Sequence, residues 1–245
     1  MNILLYTDSR SWLQLPDSFP TAQGELPREW ENGVIDAMRE VWTDGMDNAA
    51  EQTQREALRH GLSRVQPEDA ITLQYWPTAS VVNAIVHVAG REFGPGEQRA
   101  GVPLDDTVQY VTAPALSRFE ANGLGSGVEA RYLIPAGANN EFVLGGVNYL
   151  FENERGAVLV SVEPTLPKLI GLMLEPLREV VRSIRVTEDG DTDSAAWDRA
   201  TVDDAVVAPY GDTWNIGAAA DSREQREGIH TSHGQPSPAR EAQSR

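Results

Sequence analysis

The chain has 245 residues, 20 of them basic and 37 acidic, which gives a formal charge of −17, and it contains no cysteine. Such a composition excludes disulfide scaffolds, cysteine-ligated zinc, iron–sulfur clusters and thiol catalysis. It also argues against nucleic acid as the main partner, because phosphate binding needs clustered Lys and Arg.

Residues 1–27 are punctuated by Pro16, Pro20 and Pro27, with room for a short strand at Asn2–Tyr6. The apolar run Ile3-Leu4-Leu5-Tyr6 has no basic residue before it and Asp8 close behind, unlike a signal peptide. From Arg28 to about Gly61 the pattern turns helical: Val34, Met38, Val41, Gly45, Ala49, Thr53 and Ala57 recur at three- and four-residue spacing. Thr43-Asp44-Gly45 is the natural break, since Asp caps helices and Gly weakens them. Two helices, or one with a bend, are expected there.

The period then changes to two. Ala70–Trp76, Val81–Val88, Thr107–Thr112, Val128–Ile134, Glu141–Phe151 and Ala157–Glu163 read as strands. In the fourth, Val128, Ala130, Tyr132 and Ile134 face one way and Glu129 and Arg131 the other, the mark of a half-solvated sheet. Gly145-Gly146 predicts a bulge or bend. Connections are short, so antiparallel pairing is expected. A last helix starts near Pro164-Thr165 and runs to Arg185 with the stripe Leu166, Ile170, Met173, Leu177, Val181 and Ile184; Pro176 should kink it. The expected fold is α+β: a central antiparallel sheet of about six strands, flanked by an N-terminal helical region and a C-terminal helix.

After Val186 the apolar density falls and Glu188-Asp189-Gly190-Asp191-Thr192-Asp193-Ser194 follows. Residues 1–187 carry 15 basic and 25 acidic side chains and residues 188–245 carry 5 and 12, so both parts are acidic. The expected organisation is a sandwich domain over 1–187 and an acidic, largely disordered tail over 188–245. Because Lys168 is the only lysine, nearly all the cations are arginines, which are scattered as codon bias would scatter them. No stretch approaches the roughly 20 apolar residues of a membrane span, so a soluble, cytoplasmic protein without membrane insertion is expected.

Leu15-Pro16 with Trp30 downstream, the strand Val158-Leu159-Val160-Ser161-Val162, and a closing helix ending Val181-Arg182-Ser183-Ile184-Arg185 carry a resemblance. Over about residues 11–187 the order of elements resembles the PsbP-like superfamily, and the closing Ser-Ile-Arg is similar to that of bacterial members. The resemblance implies a small α/β/α sandwich and a non-enzymatic binding, assembly or chaperone-like role. It brings no catalytic residue with it, and the long Gln- and Glu-rich first helical region departs from the pattern.

The residues themselves offer little chemistry. Gly123-Leu124-Gly125-Ser126-Gly127 feeds a strand rather than a helix, so it reads as a hairpin connection and not a phosphate loop or a nucleophile elbow. His60 ends a helix, His87 shares a strand face with Val81, Asn83 and Ile85, and His230 and His233 sit in the tail. No zinc motif is present, and Asp189, Asp191 and Asp193 lack the glycine and glutamate that a calcium loop needs. Asp105-Asp106 suits a turn cap. Neither a metal nor a cofactor is therefore expected. Trp197, Tyr210 and Trp214 are the candidate partner-binding residues: aromatic anchors in an acidic segment either dock into a protein partner or fold back on the domain's own sheet. The expected function is a non-enzymatic protein-binding, adaptor or chaperone-like protein. The alternatives are a small hydrolase with a cleft of carboxylates and His87, or a structural component of a phage or secretion assembly.

Overall fold

A computed structural model describes residues 1–42, 45–77, 83–97, 99–187, 197–202 and 207, all within a compact unit spanning Met1–Asp212. Tyr210, Trp214, His230, His233 and the Asp189–Asp193 run lie outside the described residues. In chain order the elements are β1 (Asn2–Leu4), β2 (Trp12–Leu15), α1 (Pro27–Val41), α2 (Asn48–Arg64), β3 (Asp69–Tyr75), β4 (Ala84–Glu92), β5 (Ala115–Ala121) and β6 (Gly125–Ala136). They continue with β7 (Phe142–Glu152), β8 (Gly156–Val162), α3 (Pro167–Ser183) and β9 (Arg185–Thr187). Seven strands form one sheet in the order β2-β3-β4-β8-β7-β6-β5, and β1 pairs separately with β9. Every pairing within these sheets is antiparallel, and in β5–β6, β6–β7 and β7–β8 the paired strands are joined by short connections.

The helical region divides where expected, with α1 ending at Val41 and α2 beginning at Asn48. Glu29 accepts from the Leu26 amide at 2.9 Å at the start of α1, and Asp47 caps α2 by accepting from Ala50 N at 2.7 Å. Glu31 on α1 receives Arg55 and Arg59 of α2 at 2.8 Å each. Burial works to raise the Glu31 carboxyl, but the two guanidiniums outweigh it and hold the group below its ordinary range. The pair covers one face of β2–β4 through Trp30, Ile35, Met38 and Leu58, packed on Leu15 and Ile85. Helix α2 runs three residues past Gly61, so His60 is not its end.

On the opposite face α3 lays Ile170, Met173, Leu177 and Val181 on Val147, Tyr149, Phe151, Val158 and Val160. Each of these side chains contributes roughly 1.5–3 kcal/mol by leaving water. Pro176 is accommodated inside α3, and the carbonyl four residues before it belongs to exposed Leu172.

The sequence reading needs three corrections here. Glu129 and Arg131 do not face solvent; both are buried beneath α3, Glu129 completely. Arg178 of α3 reaches down to grip Glu129 with Nε and Nη2, each at 2.8 Å, and Arg131 Nε stands 3.2 Å from the same carboxylate. The polar face of β6 is thus a charged seam inside the core. Residues 107–112 form turns rather than a strand, because Asp105 Oδ1 accepts from Thr107 N at 2.8 Å and folds the chain there; β5 lies further on. Gly145-Gly146 makes no bulge, since β6 and β7 keep register from Val128↔Leu150 to Ala136↔Phe142. A side chain at Gly146 would fall on the Tyr132 ring, which accounts for the glycine. The alternating pattern also missed β2 and β9, which are only four and three residues long.

Beyond Thr187 the chain returns to the domain. Trp197 is buried and donates through Nε1 to Leu124 O at 3.2 Å, while Ala200 pairs with Gly125 in a parallel bridge. The glycine string makes that approach feasible: Gly125 has φ +89°, and a Cβ there would meet Ala200 O at 2.7 Å.

Replacing Arg178 with Met leaves Glu129 buried opposite a partly engaged Arg131, and is expected to cost about 3–5 kcal/mol in urea denaturation. Removing all three charges of the seam with Glu129→Leu, Arg131→Met and Arg178→Met should recover most of that loss. Trp197→Ala is expected to cost about 3 kcal/mol. A loss below about 0.5 kcal/mol, the usual effect of a surface substitution, would show that residues 197–202 are not docked in solution.

Candidate binding cleft

The helical layer is narrower than the sheet and covers only the β2–β4 end of its face. Pairing registers place three rows of side chains across the uncovered part of that face. The first row is His87, Ser161 and Asn148; the second is Ala89, Leu159 and Leu150; the third is Arg91, Ala157 and Glu152. The second and third rows and Asn148 floor a cleft of about 710 Å³, roofed by residues 100–105 with Val102, Pro103 and Leu104 facing it.

Side chains of β7 hold the roof. Glu152 accepts from Ala100 N at 2.9 Å and Gly101 N at 2.8 Å, and Asn148 Nδ2 donates to Pro103 O at 2.8 Å. Tyr110 donates through its hydroxyl to Asp105 O at 3.1 Å, and its ring meets Tyr132 edge-on with centroids 5.5 Å apart. Burial pushes the Tyr132 phenol up, so it stays a neutral donor facing Asn148. The amides of Ala100 and Gly101 and the carbonyl of Pro103 are thus partnered by the sheet, which fixes an apolar space beneath the roof. Asp105, one of the paired acids singled out in the sequence, caps its turn through Thr107 and stands on the cleft's rim.

The first row is polar for a different reason. His87 presents Nδ1 to Asp69 Oδ2 at 2.6 Å and Nε2 to Glu163 Oε1 at 3.1 Å. Thr72 donates to the same Asp69 oxygen at 2.7 Å, and Arg64 Nε donates to Glu163 Oε1 at 2.6 Å. The chain Asp69, His87, Glu163, Arg64 clasps the end of α2 to β3, β4 and the segment after β8. Ser161 lies beside His87 in the pairing register, but both ring nitrogens already face carboxylates. No group of three His, Cys, Asp or Glu side chains among the described residues is placed to hold a metal ion.

Of the candidate partner-binding residues, Trp197 is engaged by its own domain, as the fold-back alternative has it; Tyr210 and Trp214 lie outside the described residues. Nothing brings Trp197 to the cleft floor or roof. The cleft residues Ala89, Leu150, Leu159, Asn148 and Glu152 were missed in the sequence because each looks like ordinary strand alternation. No protein-family model, no curated protein and no solved structure matches the chain.

Substituting His87 with Leu removes a partner from Asp69, whose side chain is 5% exposed, leaving it Thr72 and the Gln66 amide. The expected cost is about 1–3 kcal/mol in chemical denaturation. An unchanged midpoint would show that the clasp does not hold the fold.

Proposed function

We propose that this chain is a non-enzymatic binding protein that takes up an apolar small molecule between the open sheet face and the 100–105 roof. The observation carrying this reading is the cleft itself: its volume of about 710 Å³ falls in the range of small-molecule sites, roughly 300–1,000 Å³. Its floor is Ala89, Leu150, Ala157 and Leu159, and its polar groups are few and largely spent on the roof. A stable protein–protein contact needs about 800 Å² from each partner, far more than the cleft offers, so a small ligand fits better than the protein partner expected from the tail aromatics. The implied PsbP-like kinship, with its mostly non-catalytic members, sits comfortably with this reading. The hydrolase alternative needs a ring nitrogen free to take a proton from a nucleophile, and His87 offers none while Asp69 and Glu163 hold it.

N-phenyl-1-naphthylamine, an uncharged dye that brightens in apolar sites, is expected to bind the full chain saturably. Leu159→Trp, which fills the floor, should weaken that binding at least tenfold while the circular-dichroism melt shows an intact fold. Val102→Asp on the roof tests the same site without touching the sheet. Absence of saturable binding, or equal affinity in both variants, would overturn the proposal.

A further inference from the structure

The charges around the cleft narrow the class of ligand. Four ionisable side chains line it: Glu68, Arg91, Asp105 and Glu152. The single cation is already engaged, since Arg91 Nη1 lies 2.5 Å from Glu97 Oε1 and its guanidinium stacks 5.2 Å over the Phe93 ring. Glu152 is buried and turned to the roof amides. Glu68 and Asp105 are exposed, and no cation among the described residues pairs with either. Two hydrogen bonds from Thr107 hold the Asp105 carboxyl below its ordinary range, so it is charged at neutral pH.

An apolar floor with two uncompensated carboxylates on its rim is complementary to a molecule that is apolar over most of its length and positive at one end. We infer that the ligand is an amphiphilic cation, such as an alkylated amine, whose chain lies on Ala89, Leu150 and Leu159 and whose charged head reaches Glu68 and Asp105. This inference rests on the cleft being the binding site. The chain's overall charge of −17 reinforces the preference, because the surrounding negative potential raises the local concentration of cations and repels anions. Rim charges of this kind are solvated, so they decide between ligands more than they add affinity.

Three ten-carbon probes, each below its micellar concentration, separate the possibilities by displacing the bound naphthylamine dye from the full chain: decyltrimethylammonium, decanol and decanoate. The cation is expected to displace the dye at a concentration at least tenfold lower than decanoate, with decanol between them. Raising NaCl from 20 mM to 500 mM should shrink the gap. Glu68→Gln combined with Asp105→Asn, which keeps an acceptor for the Thr107 turn, should lower the cation-to-anion ratio at least threefold, leaving only what the overall charge supplies. Dye binding with no cation preference, or a preference unchanged in the double variant, overturns this inference and leaves the cleft in place. A dye that does not bind at all removes the cleft reading as well.

Discussion

Arg178 gripping Glu129 is the interaction on which the two sides of the sheet depend. Glu129 sits at the centre of β6, wholly removed from water, and a lone carboxylate there would be untenable. The two parallel bonds from Arg178 fix both the height and the rotation of α3, because a guanidinium fork meets a carboxylate in one plane. With α3 so placed, Ile170, Met173, Leu177 and Val181 fall on the apolar rows of β7 and β8. Glu129 and its hydrogen bonds raise the Arg178 guanidinium further above its ordinary range, while burial, then the Glu129 charge, push the neighbouring Tyr149 phenol well up. The seam therefore holds one carboxylate, two guanidiniums and one neutral phenol. An apolar set of the same shape would be about as stable, so what the charged seam adds is the fixed geometry of its fork.

Fixing α3 on one face leaves the other to be covered by α1, α2 and whatever else the chain provides. A helix pair spans about three strands, and seven are present, so the rest must be met by something other than a helix. Residues 100–105 meet it, but a strap is thinner than a helix, and its backbone is tied to the sheet by Glu152 and Asn148. The cleft is the space that this mismatch leaves. Its polar border, Asp69, His87 and Glu163, marks where the helical layer stops.

Much of this was legible from the residues. Helix periodicity located α1, α2 and α3, and the Asp44-Gly45 pair marked the break between the first two; alternation found β3, β4, β6, β7 and β8 to within a few residues. Where the reading failed, a tertiary partner decided the outcome. Glu129 and Arg131 look like solvent-facing residues because nothing nearby in the sequence shows that Arg178, 49 positions on, will neutralise Glu129. The glycines of 123–127 do join β5 to β6 as a hairpin, but the segment they also admit, Trp197 to Ala200, lies more than 70 residues later and leaves no local sign. The cleft was invisible for a related reason. A cavity is defined by what does not cover a surface, and alternation reports only which residues share a face.

The pairing of β1 with β9 joins Asn2 to Thr187. During synthesis, the first strand has no partner until nearly the last described part of the chain has been made. The loop that this contact closes spans almost the whole domain, and its entropy cost must be met before the contact gives anything back. The pairings β3–β4, β5–β6, β6–β7 and β7–β8 are closer in sequence and can form earlier; the β1–β9 ribbon and the Trp197 dock can only come last. The domain is therefore built to remain open at one end until its C-terminal segment emerges, and a ribosome stalled before residue 187 would display an edge of apolar core to whatever chaperone is at hand.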